Sequence, residues 1–75
     1  MSKLPSLTGA KAIAAFERAG FAVAREGAKH TLLTKKDHPF ILAVPRHKGD
    51  LSKGTLVELV RASGLSRDEF LTLLG

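Results

Sequence analysis

A chain of 75 residues without a single cysteine has neither disulfides nor thiolate metal sites to hold it, so its stability must come from one apolar core. Apolar residues make up 44% of the sequence and run through all of it, enough for such a core and too many for a disordered polyelectrolyte. Residues 1–75 are therefore expected to form one domain. The missing cysteines also suit a reducing compartment, and a cytoplasmic location is the expectation. No apolar stretch approaches the roughly 18–20 residues of a membrane span. The start, Met1-Ser2-Lys3-Leu4-Pro5-Ser6, lacks the apolar centre of an export signal, so neither insertion nor secretion is expected.

The order of elements follows from punctuation and period. Thr8 is a suitable N-cap for a helix over residues 9–19, with Ile13 and Phe16 as its stripe, Ala12, Ala15 and Ala19 beside them, and Gly20 past its end. Residues 21–25 change to period two, with Phe21, Val23 and Arg25 on one side, and Glu26-Gly27-Ala28 supplies a turn. Residues 29–34 are β-prone, and Lys35-Lys36-Asp37-His38-Pro39 reads as a second turn. The unbroken apolar run 40–44 suggests a strand covered on both faces and stopped by Pro45. Leu56, Leu59 and Val60 mark a helix over about 53–62, ended near Gly64. Ser66 and Glu69 form a capping box for a last short helix with Phe70, Leu73 and Leu74 inside, and Leu65 is positioned to staple onto Phe70. The expected fold is α+β: helices on one face of a three-stranded antiparallel sheet, and the other face free for function.

Charge is concentrated near that sheet. The net charge of +5 is carried mostly between Arg25 and Lys53, where seven basic residues face three acidic ones and contribute +4. The three histidines, His30, His38 and His47, fall in the same segment. A basic segment with interspersed histidines suits binding to a polyanion and proton transfer, although each cation could equally be a solvated loop charge. His30, just after a glycine-containing turn, is a candidate general base, and Pro45-Arg46-His47-Lys48 is a dense basic cluster at a strand exit. No histidine spacing suggests a zinc site, and nucleotide-binding loops and nucleophile elbows are absent, so no metal or cofactor is expected. The bond such a chain can cleave unaided is the RNA phosphodiester, because the 2′-hydroxyl of the substrate is itself the nucleophile.

The ordered pieces Leu4-Pro5, Thr8-Gly9, Ala19-Gly20-Phe21, Gly27-Ala28-Lys29-His30, Val44-Pro45-Arg46-His47-Lys48, Lys53-Gly54-Thr55-Leu56 and Ser63-Gly64-Leu65-Ser66 resemble the HicA (YcfA-like) mRNA interferase toxins of type II toxin-antitoxin systems. The resemblance covers nearly the whole chain. It implies a fold like a double-stranded-RNA-binding domain, α-β-β-β-α with a short extra C-terminal helix here, and a metal-independent endoribonuclease that cleaves mRNA. It puts the catalytic histidine at His30. Ala28 and Lys29 stand where many members have serine-containing turns, and Lys29 then offers a phosphate contact. Lys29, Lys35, Lys36, Arg46, His47, Lys48 and Lys53 are the expected RNA-binding residues. The implied partners are mRNA and a HicB-like antitoxin that covers the active face, with operator DNA reached only through the antitoxin complex. Two other readings compete: an RNA-binding module that does not cleave, and a helix-turn-helix DNA reader built on the last two helices, which the acids Asp68 and Glu69 disfavour.

Overall fold

The computed structural model describes residues 4–46 and 49–74, in the order α1 (Gly9–Arg18), β1 (Ala22–Glu26), β2 (His30–Thr34), β3 (Leu42–Pro45), α2 (Lys53–Ser63) and α3 (Arg67–Leu73). Thr8 caps α1 by accepting a hydrogen bond from the Lys11 amide at 3.3 Å, and Ala19 is its C-cap. Gly20, at φ +105°, lets the chain reverse behind it. Ala12, Ala15 and Phe16 are the buried face of α1, while Ile13 is partly buried. The Phe16 ring meets Phe21 edge-on at 6.0 Å and Phe70 at 5.1 Å, so α1, the entry to β1 and α3 converge on one side chain. Among the described residues no helix is long and apolar enough to cross a membrane.

The strands form an antiparallel sheet in the order β1-β2-β3. Thr31, Leu33, Leu42 and Val44 are buried beneath the helices. The residues alternating with them, His30, Leu32, Ala43 and Pro45, therefore belong to the opposite face, which no described element covers. The helices thus pack on one face, and the α+β architecture, α-β-β-β-α with a short third helix, is the observed one.

Two local expectations are corrected. Phe21 lies before β1 and is buried, and a bulge between Val23 and Arg25 interrupts the alternation, so Arg25 does not share a face with Val23. The apolar run 40–44 is not covered on both sides: only Leu42 and Val44 are buried, Ala43 lies on the face away from the helical layer, and Phe40 and Ile41, 60% and 61% exposed, precede the start of β3. Pro45 remains in β3 as its last residue. The Arg46 amide donates across to Lys29 at 2.7 Å, so by alternation the position of Pro45 points away from β2, where a missing N–H costs no ladder bond.

Ser52 caps α2 through the Thr55 amide, and Gly64 closes it at φ +80°. The expected capping box is present: the Glu69 amide donates to Ser66 Oγ at 3.1 Å, and the Ser66 amide donates to Glu69 Oε1 at 2.9 Å. Gly9 joins the helical layer to the sheet. A Cβ there would lie 2.9 Å from the Pro45 carbonyl oxygen, so only glycine allows α1 this close to the end of β3.

Ser66→Ala removes one half of the capping box and should cost roughly 0.5–2 kcal/mol in urea unfolding. The Ser66 amide, and then its hydroxyl, hold the Glu69 carboxyl below its ordinary value. A depressed carboxylate stabilises the fold above its unfolded value and loses that contribution as pH falls through the folded one. The stability gap between the natural chain and Glu69→Gln should therefore narrow on acidification from pH about 6 to about 3, and a gap independent of pH would contradict the box.

Candidate functional site

The turn between β1 and β2 is built to hold His30. The Gly27 amide donates to the His30 carbonyl at 2.8 Å, leaving Ala28 and Lys29 as the loop. A Cβ on Gly27 would stand 3.0 Å from that same carbonyl, which favours glycine at this point. From β3, the Arg46 amide donates to the Lys29 carbonyl at 2.7 Å and Arg46 Nη1 donates to the Gly27 carbonyl at 2.9 Å. Arg46 thus ties both ends of the turn to the sheet. His30 pairs with Pro45, is exposed, and belongs to the uncovered face with Leu32 and Ala43 beyond it.

A shallow depression of about 250 Å³ lies here, lined by Arg25, Gly27, Ala28, Lys29, His30 and Leu32. It gathers one imidazole and two cations, Lys29 and Arg25, with Arg46 bonded to its Gly27 rim. No described acidic side chain lines it. An exposed imidazole in a cationic, shallow and wet depression can exchange protons with a ligand whose negative charge the cations attract. Among the described residues, no group of three or more histidine, aspartate or glutamate side chains gathers as a metal site would require.

The residues expected from the sequence do not all meet here. His30 and Lys29 do, while Arg46 touches only the Gly27 rim and itself lines a neighbouring depression with Glu26 and Thr31. Lys35 and Lys36 follow β2 at its other end, about 16 Å from His30 at the rise of a strand. Lys35 Nζ sits 5.5 Å from the centre of the Phe21 ring. Lys53 is exposed at the first position of α2 and does not line the depression. His47 and Lys48 lie outside the described residues. His38 has a structural place: its Nε2 is 2.7 Å from the Ala62 carbonyl, and its ring stands between Phe21 and Phe40 at 5.2 and 5.9 Å. The residue absent from the expected set is Arg25, whose position depends on one extra residue in β1 that no period in the sequence announces.

A family model described as HicA toxin of bacterial toxin-antitoxin matches residues 9–65, from the first residue of α1 to the approach of α3. The match contains all three strands, His30 and Arg46. Comparison with curated proteins finds no match.

The hydrogen bond from Arg46 Nη1 to Gly27 predicts that Arg46→Ala loosens the turn more than it destabilises the fold. Amide exchange at Gly27 should accelerate, with a global loss of about 1 kcal/mol or less for an exposed contact. Unchanged exchange at Gly27 would mean that the guanidinium does not hold the turn.

Proposed function

The chain belongs to the HicA toxin family of bacterial toxin-antitoxin systems, and on that premise we propose that it is an endoribonuclease that cleaves mRNA from the uncovered face of its sheet, with His30 as the general base. The toxin-antitoxin family implies an antitoxin partner. In this reading His30 takes the proton of a ribose 2′-hydroxyl, the 2′-oxygen bonds to the adjacent phosphorus, and the bond from phosphorus to the 5′-oxygen breaks. The departing 5′-oxygen takes up a proton, leaving a 2′,3′-cyclic phosphate on one product and a 5′-hydroxyl on the other. Lys29 offsets the charge that builds on the phosphate oxygens, and Arg46 fixes the turn and extends the positive field. The chemistry uses groups of the chain and of the RNA, without a metal.

The observation that carries this reading is the meeting of His30 and Lys29 in one open depression with no described acidic side chain in its lining, at a turn that Arg46 holds through the Gly27 carbonyl. An open face suits a long single strand better than a small molecule, which needs enclosure. The same exposure explains why control by a partner is economical: a HicB-like acidic antitoxin lying on this face would block the imidazole and neutralise the cations together. Operator DNA then belongs to the complex rather than to the toxin. A helix-turn-helix reading fares worse, because α3 is short, buries Phe70 and carries Asp68 and Glu69 in its first turn.

His30→Ala should lower cleavage of an RNA oligonucleotide by about 10²- to 10⁴-fold while leaving the fold and RNA affinity nearly unchanged. Cleavage by the natural chain should continue in EDTA. Full activity of His30→Ala would remove the general base from the account, and binding without any cleavage by the natural chain would favour a non-catalytic RNA-binding module.

A further inference from the structure

One cation on the uncovered face, the Arg25 guanidinium, has no bonding partner among the described residues. Strict alternation after Val23 would set Arg25 on the helix-covered side, but the bulge adds Ala24 to the strand and Arg25 pairs with Leu32 instead. His30 is two residues from Leu32 on the same face of β2, a diagonal neighbour of Arg25 at about 7–8 Å. An arginine side chain spans that gap, and both residues line one depression with Lys29.

Among the described residues, nothing compensates the Arg25 charge. Its neighbour Glu26 pairs with Thr31, which is 2% exposed, so that carboxylate belongs to the opposite side of the sheet. Among the described residues no side chain forms an ion pair or hydrogen bond with the Arg25 guanidinium. Arg46 differs, since its Nη1 is engaged by the Gly27 carbonyl. A guanidinium recognises phosphate through a planar fork of two N–H groups, and Arg25 has its whole fork to offer whereas Arg46 has part of it turned to the protein.

We propose that Arg25 is a substrate-contacting residue that grips an RNA phosphate beside His30, and that the β1 bulge exists to turn it toward the site. This rests on the ribonuclease reading above and adds to it the residue that makes the bidentate contact. Arg46 then serves chiefly to position the turn.

The test is binding of a short, fully 2′-O-methylated single-stranded RNA, which cannot be cleaved, followed by anisotropy between about 50 and 200 mM salt. Arg25→Ala should bind roughly tenfold more weakly, and its slope of log affinity against log salt should shrink by about 0.7, as expected for one lost phosphate contact on a single strand. Arg25→Lys keeps the charge and should restore the slope but only part of the affinity, because an ammonium lacks the fork. Arg61→Ala, an exposed helix cation paired with Glu58, removes the same net charge elsewhere and should change neither quantity. Arg25→Ala matching the natural chain in affinity and slope, while the natural chain binds and cleaves RNA, would overturn the role of Arg25 and leave the ribonuclease reading standing. A natural chain that neither binds nor cleaves RNA would overturn both.

Discussion

The burial of Thr31, Leu33, Leu42 and Val44 under a single helical layer is the constraint from which the candidate site follows. Strands show successive residues to opposite faces, so committing these four to the core commits His30, Leu32, Ala43 and Pro45 to the uncovered side. A slip of one residue in β2 would expose Leu33, forfeiting roughly 1.5–3 kcal/mol of apolar burial, and would carry His30 toward the core without a partner. The register that protects the core and the register that presents the imidazole are the same.

Backbone contacts then sharpen what alternation sets. Gly9 brings α1 onto the Pro45 carbonyl, which anchors the exit of β3 to the helical layer. From that anchored exit Arg46 reaches back to Lys29 and Gly27 and steadies the turn that carries His30. On the proposed ribonuclease reading, positioning of this kind would serve a catalyst that moves one proton and steadies one developing charge, since its advantage lies in holding groups ready. The histidine is exposed to solvent, yet the chain beneath it is tied to the core through two strands and a helix.

What the sequence made legible was whatever is encoded locally. Thr8, Ser52 and Ser66 each cap the helix expected after them, and Gly20 and Gly64 lie beyond the ends of α1 and α2 at positive φ. The turn at Gly27 and the position of His30 after it were equally visible. What stayed hidden depends on tertiary context. A continuous apolar run such as 40–44 has the same pattern whether one face is covered or two, and here Phe40 and Ile41 are left outside. The bulge at Ala24 leaves no mark in period or composition, so period two puts Arg25 with Val23, whereas in the sheet the two lie on opposite faces. Basic residues close in sequence scattered in space, because Lys35 and Lys36 follow the far end of the strand that His30 begins. His38, one of three candidate histidines by segment, sits against the end of α2 between two aromatic rings, a contact set by packing across the chain.

If this uncovered face cuts RNA as proposed, the 2′-hydroxyl of the substrate is indispensable at the scissile bond. The most direct measurement is to map the cut sites of the purified chain on an RNA oligonucleotide, then replace the ribose 5′ to one cut by deoxyribose and identify the ends of all products. The substituted bond alone should resist, while every other product carries a cyclic phosphate and a 5′-hydroxyl. Cleavage at the deoxyribose, or products with 5′-phosphates, would contradict the proposal.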